Sequence, residues 1–328
     1  MKRILILGSK MHYNLEYYAY ESLKELGYEV YFYGYSKAKF SNVVRMVTTR
    51  SRIAHVLATP IWLKKIGREI MQEVDKYSPD LVFVAKGEFL EVDVIKKITN
   101  RGIKIALWYP DDPRFYNAFL MHIAPYFNHI FTYSNHAILN YKNRGITNVS
   151  RLPFGCFPKV HNKVKTKEFH KDKLVFVGTY TPKRYRILKA LIKKGIKIDI
   201  YGPYWNYFIK NAHPGVYGKD MAMIFSQYFG VINIHDNINY GPNMRVFEVA
   251  GTGSLLISDN AEDTNSFFNT SSAFYYTEYS NMDKEIIEFM KNTSLDYRDM
   301  IALKAQETCY KKHTYVHRMK EMINIIDI

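Results

Sequence analysis

Short runs of β-branched and aromatic residues recur along the chain, and each is followed by a longer stretch whose apolar positions return at helical spacing. This pattern predicts strands at Ile4 to Leu7, Val30 to Tyr33, Leu81 to Ala85, Lys104 to Trp108 and His129 to Tyr133. It restarts at Leu174 to Val177, Lys197 to Tyr201, Gly230 to Ile234 and Leu255 to Ser258. Strands alternating with helical segments read as βαβ units, hence an α/β fold with parallel sheets.

A polar, lysine-rich stretch from Lys159 to Lys173 separates the two series. The expected organisation is therefore two Rossmann-like domains, residues 1–158 and 159–312, with a closing helix over about 313–328 packing back on the first. Parallel sheets bind ligands beyond the carboxyl ends of their strands, so the loops after each strand, facing a cleft between the domains, are where the chemistry is expected.

The chain has 328 residues, of which 47% are apolar and 2 are cysteines, enough to build two cores without disulfides. Cys156 and Cys309 lie far apart and complete no zinc or redox pattern, which favours a reducing compartment. The apolar run at the N-terminus is too short for a secretory segment and reads as the first strand. The stretch from Phe115 to Tyr141 holds no Asp, Glu, Lys or Arg, but Asn117, His122, Pro125 and Asn128 within it argue against a membrane span. The expected location is cytoplasmic, with peripheral attachment to the inner face of the membrane left open.

With 46 Lys plus Arg against 31 Asp plus Glu, the net charge of +15 implies anionic partners. The segment from Lys37 to Arg68 concentrates it: Lys37, Lys39, Arg45, Arg50, Arg52, Lys64, Lys65 and Arg68 precede the first acid, Glu69, and Trp62 lies among them. Two readings stay open, a surface for anionic lipid or an acidic acceptor and a solvated helical face.

The most informative stretch runs from Asn243 to Asp259: a loop, a short helix, a glycine turn and a buried strand. Arg245 and Glu248 share one face of that helix. A helix N-terminus with an arginine in its first turn suits a diphosphate, and a carboxylate one turn on suits ribose hydroxyls. An ordinary ion pair between the two is the alternative. Asp111 and Asp112 follow a strand whose carboxyl edge should face the cleft, so one of them is the candidate base; alternatively Asp112 caps a helix that Pro113 begins. Gly8 follows the first strand at a phosphate-loop position. The histidines show no metal-ligand spacing, and neither a dinucleotide fingerprint, a Walker loop nor a nucleophile elbow is present.

The run Asn243-Met-Arg-Val-Phe-Glu248, ending at Gly253 before a buried strand, resembles the nucleotide-sugar site of GT-B glycosyltransferases, more narrowly the spore-maturation, CgeB-like family. Leu174 to Arg184, Trp108 to Pro113 and His313 to Arg318 resemble further parts of that family in order and spacing. The resemblance implies a GT-B architecture and a metal-independent glycosyltransferase of hexosyltransferase type, with no cofactor beyond the nucleotide-sugar co-substrate. It also implies donor-binding parts for Gly178, Thr179, Lys183, Arg184, Tyr201, Gly202, Tyr217, Asn243, Arg245 and Glu248. Catalytic parts fall to Asp111, Asp112 and His235, the last on one loop with Asp236. Many retaining members carry a spaced pair of glutamates; Glu248 matches the second, and the first falls on Tyr240, so inversion and retention both stay open.

The expected function is transfer of a sugar, from a UDP-sugar by general prior, to a hydroxyl of a glycan, glycolipid or protein. The alternative is a nucleic-acid-binding protein, or a DNA-modifying glycosyltransferase, that uses the basic N-terminal surface.

Overall fold

The computed structural model describes residues 1–9, 13–35, 52–113, 116–277 and 279–328, with side chains left out at 52–59 and 118. In the first sheet, β1 (Arg3–Gly8), β2 (Glu29–Gly34), β3 (Leu81–Ala85), β4 (Lys104–Tyr109), β5 (His129–Thr132) and β6 (Val149–Arg151) lie in the order β2-β1-β3-β4-β5-β6. In the second, β7 (His170–Val177), β8 (Lys197–Tyr201), β9 (Tyr228–Asn233), β10 (Leu256–Asp259) and β11 (Phe274–Tyr276) lie in the order β11-β10-β9-β7-β8.

Every pairing is parallel. The reason is in the sequence: Ile4 to Leu7 and Leu81 to Val84 are fully buried apolar runs, which only a sheet covered on both faces accommodates. The short edge strands β6 and β11 lack such a run, and the hydrophobic pattern did not reveal them.

Helices α1 (Leu15–Glu25), α2 (Arg52–Tyr77), α3 (Val92–Thr99) and α4 (Asn135–Lys142) follow strands of the first sheet. The second is accompanied by α5 (Pro182–Lys193), α6 (Gly218–Ser226), α7 (Met244–Gly251), α8 (Met282–Asn292) and α9 (Leu295–Lys312), and α10 (Tyr315–Ile326) closes the chain. Helix α5 starts where its sequence says it should: Thr181 is the N-cap, its hydroxyl accepting the Arg184 N–H at 3.3 Å, and Pro182 opens the helix. Leu188 and Leu191 then seat it on a core of Leu174, Phe176, Ile200, Ile232 and Ile257.

The chain divides into two compact units, residues 1–153 with 316–328, and residues 154–315. The first crossing comes after Pro153, ahead of the boundary expected at residue 158. Phe154, Cys156 and Phe157 are buried, and Cys156 donates its N–H to His313 O while its carbonyl accepts from Tyr315 N–H, both at 2.9 Å, so this segment belongs to the second unit. Helix α10 returns to the first unit, where Lys104 on β4 donates to the carbonyls of Ile326 and Asp327 at 2.7 and 2.6 Å and so caps the helix end.

Of the basic segment, Lys37, Lys39, Arg45 and Arg50 lie outside the described residues. Further on, Lys64 and Arg68 occupy the exposed face of α2, whose other face buries Ile66, Ile70 and Val74, and Trp62 packs edge-on against Phe89. This described part is an exposed basic helical face. Among the described residues no helix is long and apolar enough to cross a membrane.

Both sheets have a topological switch point, between β1 and β3 in one and between β7 and β9 in the other, where the chain leaves neighbouring strands in opposite directions. Ligand crevices of open parallel sheets form there.

Candidate functional site

The switch point of the second sheet gathers most of the residues singled out from the sequence. Strand β7 ends at Val177 and runs through Gly178 and Thr179 into α5, while β9 ends at Asn233 and runs through His235 and Asp236 to Asn243, which precedes α7.

Arg245 lies in the first turn of α7. Its Nε donates to the Val177 carbonyl at 3.2 Å, its Nη1 reaches Glu248 Oε2 at 2.5 Å, and its guanidinium lies over the Phe225 ring. Glu248 is 5% exposed, and its other oxygen, Oε1, stands 3.8 Å from His161 Nε2. The i,i+3 ion pair foreseen as the alternative is thus formed, at the very edge where a ligand is expected. The N-cap residue of α7, Asn243, places no side-chain oxygen on the helix amides, and its buried Oδ1 has no partner.

The loop entering α7 is held by a dyad that sequence reasoning saw only in half. His235 Nδ1 meets Asp259 Oδ1 at 2.5 Å, and His235 Nε2 accepts the Asn243 N–H at 3.1 Å, which puts the ring proton on Nδ1. Tyr279 donates to the other Asp259 oxygen at 2.6 Å, and Lys183 donates to the His235 carbonyl at 2.5 Å. Burial alone would raise the Asp259 carboxyl, but hydrogen bonds from His235 and Tyr279 outweigh it and hold it below the usual range. With both nitrogens engaged and 2% exposure, His235 has no atom left for a substrate proton. In this arrangement the ring anchors the N-terminus of α7.

Arg184 braces the same edge. Its guanidinium donates to the carbonyls of Ile234 and Thr179, at 3.2 and 3.1 Å, and lies 3.5 Å from Asp236. Burial lowers the pKa of both Arg184 and Lys183, with Asp236 and Asp259 opposing it. Gly178 is half-buried and Thr179 exposed. The closest approach occurs at Gly202, φ +154, where a Cβ would lie 2.0 Å from the Gly178 carbonyl oxygen. That same oxygen accepts Trp205 Nε1–H at 2.7 Å, so the loops after β7 and β8 are pinned backbone to backbone. Tyr201 is half-buried and stacked on His213, and Tyr217 is 48% exposed, so neither is a core tyrosine. A hollow of about 450 Å³ on the outer side of α5 includes Lys183, Arg186, Lys194 and Tyr279 but neither Arg245 nor Glu248.

In the first unit the corresponding edge carries acids. Glu16 on α1 is buried against Gly8, where a Cβ would lie 2.5 Å from Glu16 Cγ, and its Oε1 accepts the Ser9 N–H at 3.3 Å. The Glu16 carboxyl group therefore lies at the place the sequence offered to a phosphate. Burial is the largest influence on Glu16 and raises its carboxyl pKa.

Asp111 and Asp112 part as alternation requires. Asp111 is half-exposed and pairs with Lys86 Nζ at 2.9 Å, whereas Asp112 turns inward to the hydroxyls of Thr132 and Tyr141. Burial pushes the Asp112 carboxyl up to about 6 against hydrogen bonds from Thr132, Tyr116 and Tyr141. Pro113 lies in a turn, and the next described helical residues are Tyr116–Leu120.

His161 and Asp259 were missed because their partners lie far away in sequence. Only the terminal position of Asp259 on a predicted strand could have flagged it. Among the described residues no group of three His, Cys, Asp or Glu side chains is placed to hold a metal ion.

Residues 183–324 match the model of a family described as glycosyl transferase-like. The spore protein CgeB of Bacillus subtilis is 21% identical over 141 residues, 43% of this chain and 44% of that protein, so the chain aligns with less than half the length of the curated relative it matches. Among solved structures, sucrose-phosphate synthase from Thermosynechococcus elongatus superposes with a TM-score of 0.68 at 9% identity, over 100% of this chain and 98% of that one. Anabaena HepE, solved in complex with UDP, gives a TM-score of 0.69 at 11% identity over 100% of both chains. Trehalose-6-phosphate synthase from E. coli, bound with UDP-2-fluoro glucose, gives 0.63 at 11% identity, over 100% of this chain and 99% of that one. The fold is that of the GT-B glycosyltransferases, and the resemblance to the CgeB-like branch of them stands.

Proposed function

We propose that the protein is a glycosyltransferase that moves a sugar from a nucleoside diphosphate sugar, UDP-sugar first among them, to a hydroxyl of a glycan or glycolipid acceptor. The second unit would hold the donor and the first the acceptor. The observation that carries this reading is the Arg245–Glu248 pair in the opening turns of α7, beside the β7–β9 switch point and within the stretch that matches the family.

In such a reaction the bond between the anomeric carbon and the diphosphate oxygen breaks, and its electron pair stays with the diphosphate. The acceptor oxygen bonds to the same carbon and gives up its proton. Charge growing on the leaving group needs fixed positive partners, which lower the barrier most where they are already oriented. Arg245 and Arg184 are held on carbonyls of the site's own loops, at Val177, Thr179 and Ile234, and Lys183 is tied to His235 O. With the uncapped amides of α7 they would supply that charge, and no metal enters the scheme.

Glu248 would accept the ribose hydroxyls once Arg245 turns to the diphosphate. Tyr201, Gly202 and Tyr217 flank the place of the base. Of the two adjacent acids, Asp111 is the one with solvent access, and it would take the acceptor proton if the reaction inverts.

The test is a thermal-shift and calorimetric screen of nucleoside diphosphates and their sugars, because a ligand selective for the native state raises its stability by mass action. A selective response to one nucleotide, lost in Arg245→Ala and Glu248→Ala, is the expected result. Equal responses to all of them, or binding that survives both substitutions, would refute the donor assignment.

A further inference from the structure

Glu248 raises a physical problem. It is 5% exposed, and among the described residues its one ion-pair partner of opposite formal charge is Arg245, at 2.5 Å. If Arg245 swings to a diphosphate, a buried carboxylate loses that partner, and an uncompensated buried charge is among the costliest arrangements a protein interior can hold. A donor site that works this way needs a second partner for Glu248, within reach when the ligand arrives.

The segment after the first crossing supplies one. His161 is fully buried, and its Nδ1 accepts the backbone N–H of Phe157 at 2.9 Å. That bond uses the Nδ1 lone pair, so the neutral ring carries its proton on Nε2, the atom 3.8 Å from Glu248 Oε1. Burial, with Arg245 adding to it and Glu248 opposing, brings the His161 pKa down to about 4, so the ring is neutral under ordinary conditions.

The backbone of His161 is also tied to its surroundings. Its carbonyl accepts Tyr310 O–H at 2.9 Å, and a Cβ on Gly251 of α7 would lie 3.1 Å from His161 Cβ and 2.7 Å from Cys156 Cβ, so this segment lies directly on the helix that bears Glu248.

We infer that His161 is a positioning residue for the donor site: its Nε2–H takes over Glu248 when Arg245 turns to the diphosphate, and aims the carboxylate at the ribose. This rests on the reading of Glu248 as the ribose acceptor. At 3.8 Å the two atoms are beyond hydrogen-bond length, so closing that gap belongs to the ligand-bound arrangement.

The experiment compares the dissociation constants of UDP and 2′,3′-dideoxy-UDP for the wild-type chain, Glu248→Gln, His161→Phe and His161→Gln, with melting temperatures alongside. The wild type is expected to prefer UDP, and Glu248→Gln to lose the preference. His161→Phe keeps the bulk without the N–H and should shrink the preference about tenfold, the scale of one hydrogen bond to a charged group, while His161→Gln, which regains an N–H, should recover most of it. An unchanged preference in His161→Phe, with only a lowered melting temperature, would reduce His161 to packing and overturn the inference while leaving the ribose reading intact. No preference in the wild type, or no nucleotide binding at all, would remove the ribose reading and this inference together. A measurement on the unaltered protein guards against a variant that does not fold: the His161 Nε2–H proton resonance should move downfield when UDP binds, and a stationary resonance contradicts the proposal.

Discussion

The two sheets share a topology and differ in charge. Each is parallel, and each has its switch point beside its first strand, between β1 and β3 or between β7 and β9. At the first edge stand Glu16, Asp111 and Asp112 with Lys86 among them; at the second stand Arg184, Arg245 and Lys183 with Glu248 and Asp259 among them. Burial acts on both in opposite directions, raising the carboxyls of Glu16 and Asp112 and lowering the pKa of Arg184 and Lys183. The lesson is that a backbone plan supplies the crevice while side chains decide what it attracts: an edge of acids with raised pKa suits proton removal, and an edge of cations suits a departing anion.

The comparison is broken hardest by removing one member of each edge. Asp111→Asn should cut turnover by roughly a hundred- to ten-thousandfold, with the donor dissociation constant unchanged, as loss of a general base does. Steady-state kinetics and calorimetry on one preparation read both; weakened donor binding would place Asp111 on the wrong side of the division. Arg245→Ala should cost about a hundredfold or more in kcat/KM, expressed in both donor affinity and turnover. A loss confined to acceptor KM would contradict it.

A pH titration sharpens the contrast without mutation. The His161 pKa falls from 6.5 to about 4 on folding, so the unfolded chain binds more protons in that window, and the stabilisation present above pH 6.5 is lost as pH falls through about 4. The Asp112 pKa rises from 3.8 to about 6, so its contribution is complete below pH 3.8 and is lost as pH rises through about 6. Each shift corresponds to on the order of 3 kcal/mol. On acidification, hydrogen exchange corrected for intrinsic rate should accelerate around 154–161 and 244–251 while slowing around 130–141. Uniform change across both units would show that neither group is held as its surroundings imply. The smallest effect is expected of Lys86→Met, which frees Asp111 from a half-exposed ion pair and should change turnover by less than about tenfold.

The strands of both sheets were legible because βαβ units write themselves as local apolar runs, and the cap at Thr181-Pro182 was legible for the same reason. Arg245 and Glu248 were legible as a pair because helical spacing joins them within one turn. The partners that give these residues their state were not. Asp259 meets His235 across two strands, and His161 meets Glu248 from beyond a chain crossing; both depend on register and packing that no local window encodes. Gly8 was ambiguous because a glycine after a first strand looks the same whether or not a side chain such as Glu16 lies against it. Asp112 misled because an Asp-Pro dipeptide advertises a helix start, whereas here its carboxylate is drawn inward by Thr132 and Tyr141.

Because Lys104 fastens the end of the last helix, the polypeptide passes from one half to the other twice, after Pro153 and again after Tyr315. A protease nick after Pro153 leaves residues 1–153 tied to the rest only through their packing with residues 316–328, and a recombinant fragment ending at Pro153 would lack those residues and expose the surface they cover. Dissecting this molecule into working parts therefore calls for a circularly permuted gene in which the last helix is spliced ahead of the first strand.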